Sequence, residues 1–349
     1  METGASPSTG SSVRVEQLPY PHGLLNSYWD LGRRYDPADV VRQFKSAGLN
    51  VPRLVIDSGV YTARQKGVQI GIKEYTAWLA SKDWGHALHA AIDIDWPPDQ
   101  SIVRRHTAAI RMTVGAERTW PVLHTYMSDR DLEEVCDSYP WCAAGAYGTG
   151  LVTNQLREMI SNRAARESRL RWYEKLHGIA AKHGTKLHAL GTGATNEILR
   201  RFDWASADAS LISTVGRYGV VFIWDDNELH CHLGGTKARS KKVTRHHADG
   251  THTEFSRPGG RTFNAERISA LFAKYRIPIQ RVLDDKDYRA GVSAAHIARM
   301  EHHYNARNSK GFVFFMADKN IGRVVGAYRH ALGAAARCGE YGPAHVGNH

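Results

Sequence analysis

The stretch RRFDWASADASLIS, residues 200–213, sets Asp208 among small residues just after an aromatic, where a buried strand favours Val or Ile. RLVIDSGVY (53–61) and HAAIDIDWPP (89–98) repeat the pattern, the first apolar run ending on Asp57 and the second on Asp93 and Asp95. A carboxylate in a core is costly unless it is paired or does chemistry. Three run-ending acidic blocks in one chain point to a set of strands whose ends meet at one functional place.

Working outward, short β-rich runs alternate with helical patterns from residue 23, the signature of βα units on a parallel sheet. The predicted strands are GLLNSY (23–28), RLVIDS (53–58), HAAIDID (89–95), WPVLHTY (120–126), WCAAGA (141–146), KLHALG (186–191) and WASADAS (204–210), with VVFIW (220–224) as the eighth. Between them, DPADVVRQFKSAG (36–48) and SDRDLEEVCDS (128–138) each open on a good helix cap, Asp36 and Ser128. In ARESRLRWYEKLHGIAAKHG (165–184), Leu170, Tyr173, Leu176 and Ile179/Ala180 share a helical face and Gly184 supplies a stop. Eight strands alternating with helices predict an α/β fold, a (β/α)₈ TIM barrel; a doubly wound open sheet is the alternative, because periodicity does not show closure.

Domain boundaries follow. Residues 1–20, beginning METGASPSTGSSVRVEQ, are polar and small and read as a disordered tail with no signal peptide. Residues 21–225 form the barrel core. The rhythm breaks in 226–262, where KARSKKVTRHHADGTHTEFSRPGG (237–260) reads as a basic loop or insertion. Residues 263–349 carry two helical stretches, NAERISALFAKYR and SAAHIARMEHHYNARN, that complete or cap the barrel.

The chain has 46 Lys+Arg against 35 Asp+Glu, a net charge of +11, which favours a polyanionic partner such as nucleic acid over a merely basic surface only when a second signal supports it. The four cysteines (Cys136, Cys142, Cys231, Cys338) show no CxxC spacing, which argues against a disulfide framework or cysteine zinc site and fits a reducing cytoplasm. No run of eighteen apolar residues is present, so no membrane partner is expected.

On a barrel, functional groups sit at the C-terminal strand ends. Asp57, Asp93, Asp95, His124, Gly145, Gly191 and Asp208 all fall there on this strand assignment. A single such Asp reads as a helix cap; the set reads as a carboxylate-lined site. Metal binding is the weaker chemistry for it: there is no HExxH, and most histidines cluster instead in HCH (230–232), RHH (245–247) and EHHY (301–304). Substitution at a sugar carbon, with one carboxylate attacking and another moving protons, needs no cofactor and fits the absence of GxGxxG and GxxxxGK[ST].

IDSGVY (56–61) resembles the DSGGF motif of tRNA-guanine transglycosylases, IDIDWPP (92–98) their base-reading DE-x-x-P turn and AAGAYG (143–148) their GGL loop. LHALGTG (187–193) is similar to their LMGVG strand, and FDWASADASLI (202–212) stands where their nucleophilic FDCV lies. The form of this last block is nearest the 7-deazaguanine DNA transglycosylases of phages and bacterial gene clusters. The resemblance implies exchange of guanine in DNA for a free 7-deazaguanine base. Asp208 would attack C1′ and hold the covalent glycosyl intermediate, and Asp57 would act as general acid/base. Asp93, or Asp95 beside it, would bind the guanine-like edge, and Tyr61 would stack on the base opposite Leu190. Gly145 and Ala146 would meet the substituent at position 7, with Ser58, His124 and Gly191 completing the pocket. The tRNA enzymes carry a C-x-C-x-x-C zinc run after the barrel; here only Cys231 lies in that region, so no metal or other cofactor is expected. Lys237, Arg239, Lys241, Lys242 and Arg245 would grip phosphates while the target nucleotide is flipped out. An RNA-acting relative, a non-catalytic nucleic-acid-binding barrel and a metal-dependent barrel hydrolase are the competing readings.

Overall fold

The computed structural model describes residues 23–31, 36–95, 99–145, 163–191, 196–233, 242–246, 252–256, 265–317 and 320–336. The 1–20 tail expected to be disordered lies outside them. Eight parallel staves form the sheet: β1 (Gly23–Ser27), β2 (Arg53–Asp57), β3 (Leu88–Ile92), β4 in two halves (Thr119–Trp120 and Val122–Leu123), β5 (Trp141–Gly145), β6 (Lys186–Leu190), β7 (Ser206–Ala209) and β8 (Val313–Ala317). The order runs from the first half of β4 through β3, β2, β1, β8, β7, β6 and β5 to the second half of β4. Both ends of the sheet are therefore the same short segment, and the ring closes on it. Helices alternate with the staves, giving the (β/α)₈-like barrel that the rhythm predicts.

Pro121 divides β4. Its first half faces β3, where Asp93 N–H donates to Trp120 O at 3.2 Å; beyond the proline the chain turns to β5, and Ala143 N–H donates to Pro121 O at 2.8 Å. At this switch Val122 N–H has no stave to bond on the β3 side. The Asp93 carboxylate takes it, Oδ1 accepting from Val122 N–H at 3.2 Å while Oδ2 accepts from Thr107 Oγ1 at 2.7 Å. Asp93 thus completes the ladder with a side chain. Nearby, the Tyr75 hydroxyl bridges Ile56 O and Ile92 O at 3.1 and 3.2 Å, tying the ends of β2 and β3.

The barrel is filled by aromatic side chains. Trp120 and Trp141 stack at 4.8 Å between ring centres, and His89, His188 and Phe315 pack around Trp120. Gly23 makes room for this plug, because a Cβ there would lie 2.2 Å from the Phe315 ring. Outside, Asp36 and Ser128 cap Pro37–Ser46 and Asp129–Ser138 as their positions predict. In Arg163–His183 the face carrying Leu170, Tyr173, Leu176 and Ala180 is buried. Among the described residues no helix is long and apolar enough to cross a membrane.

The eighth stave corrects the strand assignment. Val220–Asp225 does not join the ring; it pairs antiparallel with Glu228–Leu233, and the stave between β1 and β7 is Val313–Ala317. Asp226 and Asn227 stand at φ 48° and 59°, a two-residue turn of the kind that folds a strand back on itself. The other edge of Val220–Asp225 meets the helix Lys286–Arg307, where Ser293 Oγ and His296 Nδ1 accept from Phe222 N–H and Trp224 N–H. An apolar run covered on both faces reads alike in a barrel and in this sandwich. Among the described residues the connection from β7 to β8 accordingly holds both hairpins and four helices.

The seam gives a direct prediction. Asp93→Ala leaves Val122 N–H unpaired in the core, with Thr107 keeping only Val103 O, and should cost about 2–4 kcal/mol in urea unfolding. Asp93→Asn should stay within about 1 kcal/mol of wild type, since its amide oxygen serves Val122 and its NH₂ serves the Thr107 oxygen. Equal losses in the two variants would contradict the bonding described.

Candidate functional site

The C-terminal ends of the staves surround one mouth. β2 ends on Asp57, and the chain then turns through Ser58 and Gly59. Gly59 adopts φ 75°, and a Cβ on it would lie 2.1 Å from Ser27 Oγ and 2.6 Å from Trp29 Cβ. Only glycine permits that close approach, which directs the Ser58 and Gly59 N–H groups at the Asp57 carboxylate. Even so, the Asp57 pKa is pushed up to about 7, first by burial, then by the charges of Asp95 and Asp208. Asp95 and Asp208 therefore lie near enough for their charges to act on Asp57.

Asp208, in β7, is buried, and its Oδ1 accepts from Gly191 N–H at 2.6 Å. The same oxygen lies 3.2 Å from Nε2 of His188, a fully buried residue of β6. Gly191, at φ 67°, turns the chain so that its N–H points back at β7. Asp95 follows β3, and its Oδ2 lies 2.9 Å from His124 Nε2, just beyond β4. The His124 ring is buried and stacks on Tyr126 at 5.0 Å and 11°. Neither His124 nitrogen completes a hydrogen bond of good geometry, and both are buried. Gly145 makes space for it: a Cβ there would come within 2.9 Å of His124 Nδ1.

The structure thus brings together Asp57, Asp95, Asp208, His124, Gly145 and Gly191, with Ser58 buried behind Asp57. Leu190 ends β6 one residue before Gly191. Asp93 differs. Its carboxylate is buried against Thr107 on the helix Gln100–Val114 and is spent on the seam, its pKa raised by burial foremost and by Asp95 next. Of the two aspartates in IDID, Asp95 lies at the mouth. Ala146, Lys237, Arg239 and Lys241 lie outside the described residues, as does the side chain of Tyr61. Lys242 and Arg245 stand on the strand Lys242–His246, paired antiparallel with His252–Ser256, their side chains outside the description. Among the described residues no group of three or more His, Cys, Asp or Glu is arranged to hold a metal ion.

His188 and Ser206 were not singled out for this site by the sequence, yet a signal for them exists. His188 and Leu190 alternate on β6 as Ser206 and Asp208 do on β7, and His188 is register partner to Ser206. Parity alone puts those four side chains on one face. The chain matches no family model, no curated protein and no solved structure.

The arrangement sets a carboxyl that holds a proton near neutrality, Asp57, among the other acidic side chains of the mouth. This has a signature in stability. With its pKa raised, Asp57 keeps a proton in the native state that the unfolded chain has lost, so its contribution to stability falls as pH rises from about 4 to 7. Asp57→Asn should therefore gain on wild type by on the order of 2–4 kcal/mol more at pH 8 than at pH 4. Thermal or urea unfolding at the two pH values measures this, and a pH-independent difference would mean an ordinary carboxyl.

Proposed function

We propose that the protein is a base-exchanging transglycosylase that replaces guanine in DNA by a 7-deazaguanine base through a glycosyl ester on Asp208. The observation that carries the reading is the division of labour between Asp208, whose Oδ1 is fixed by hydrogen bonds, and Asp57, whose pKa is raised to about 7 by burial first and by the charges of Asp95 and Asp208 next. A hydrogen-bonded carboxylate beside a carboxyl that titrates near neutrality is what a nucleophile and an acid/base require. The motif order from IDSGVY to FDWASADASLI supports the same chemistry.

In the first half-reaction Asp208 Oδ2 attacks C1′ of the target nucleotide, the bond from C1′ to N9 breaks, and protonated Asp57 gives its proton to the departing guanine. In the second, Asp57 takes the N9 proton of the incoming base, N9 attacks C1′, and the ester bond to Asp208 breaks. Atoms and charge balance, and the polymer is uncut. In this reading the Asp95–His124 pair meets the polar edge of the flipped base. The basic segment 237–245 supplies phosphate contacts in this reading, consistent with a net charge of +11.

The test uses labelled guanine, which exchanges for itself. The full chain should place label in guanine-containing DNA, and Asp208→Ala should abolish it. Label entering RNA alone would move the polymer assignment to RNA; none in either would overturn the reading. The rate should also carry a limb near pH 7 that shifts downward in Asp95→Asn, because Asp95 contributes the larger charge raising Asp57. An unmoved limb would separate Asp57 from that proton transfer.

A further inference from the structure

A nucleophilic carboxylate works best with one oxygen tethered and the other free. On Asp208, Gly191 N–H and His188 Nε2 both converge on Oδ1, at 2.6 and 3.2 Å, and Oδ2 has no hydrogen bond among the described residues. The other nitrogen of the ring, Nδ1, lies 2.9 Å from Ser206 Oγ. His188 and Ser206 are both 0% exposed, and the ring packs against Trp120 and Phe315 at 5.2 and 5.8 Å. Water therefore does not compete for either nitrogen.

Proton accounting then leaves one arrangement for the neutral ring. As an ionised nucleophile Asp208 has only acceptors to offer, so a nitrogen that faces Oδ1 must donate. Nε2 is therefore the protonated nitrogen and Nδ1 is bare. A bare Nδ1 needs a donor, and the Ser206 hydroxyl is the one within reach. The chain Ser206 Oγ–H to Nδ1, then Nε2–H to Oδ1, runs in a single direction.

We propose that His188 is a positioning residue for Asp208: Ser206 fixes its tautomer, and the Nε2–H holds Oδ1 so that Oδ2 faces the substrate. The proposal rests on the transglycosylase reading for what Oδ2 attacks, while the orientation itself stands on geometry alone. Ser206 touches neither Asp208 nor the substrate. It acts two bonds removed, through the imidazole.

Two measurements on the full chain test it. The first is a long-range ¹H–¹⁵N spectrum of ¹⁵N-histidine-labelled protein near pH 7, with the His188 signals assigned by their loss in His188→Gln. The expected spectrum is the neutral Nε2–H tautomer, with signals that move in both Ser206→Ala and Asp208→Ala. A proton on Nδ1, in the other tautomer or in an imidazolium, would overturn the proposal whatever the activity. The second is single-turnover formation of the glycosyl ester. Ser206→Ala should slow it by about 10- to 100-fold with oligonucleotide affinity unchanged, and Ser206→Thr, which restores the hydroxyl, should recover it. His188→Gln, whose amide can still donate, should lose less than His188→Leu, with folding of each checked by circular dichroism. Ester formation in Ser206→Ala at the wild-type rate would also overturn the proposal. If the wild-type chain forms no ester while the spectrum shows the expected tautomer, the reaction assigned to Asp208 fails and the oriented carboxylate stands.

Discussion

A proline without an N–H, placed in the fourth stave of an eight-stave ring, is the constraint on which the rest of the molecule turns. Pro121 lets the segment 119–123 bond β3 with one half and β5 with the other, which brings the ends of the sheet together. The switch leaves Val122 N–H without a backbone acceptor, and Asp93 supplies one. Closure in turn crowds the ends of β2, β3 and β7 around one mouth. The crowding of carboxylates at that mouth is a consequence of closure, and so is the field each exerts on the others.

The four aspartates meet that crowding in different ways. Asp93 leaves the mouth and is absorbed into the seam with Thr107 and Val122. Asp208 stays and is compensated by Gly191 N–H and His188. Asp95 stays beside His124. Asp57, with only two backbone donors against two nearby charges and burial, takes up a proton more readily than an ordinary carboxyl. A ring of like charges at a strand mouth lowers stability, and proteins retain such arrangements where they serve chemistry.

Much of this was legible in the chain. Apolar runs ending on Asp57, Asp95 and Asp208, each followed by a cap or glycine, announce strand ends on a barrel rim, and that is where these residues stand. Two features were hidden for physical reasons. VVFIW is buried on both faces, which a stave and a sandwiched hairpin satisfy equally; only Asp226–Asn227, adjacent and suited to positive φ, marks the turn back. Asp93 and Asp95 are both run-ending, but the strand stops at Ile92, so both lie in irregular backbone where strand alternation no longer says which way each side chain goes. His188 was hidden because a histidine within an apolar strand reads as core until its register partner is known.

The central claim is that Asp208 becomes covalently bonded to the sugar. Its most direct measure is to mix the protein with a guanine-containing DNA oligonucleotide, quench with acid, digest both polymers and weigh the peptide spanning residues 202–212. A peptide heavier by the remaining sugar nucleotide, with the added mass on Asp208 and discharged when free base is supplied before the quench, is the predicted result. Base exchange proceeding with the added mass on another residue, or with no adduct at any quench time, would contradict it.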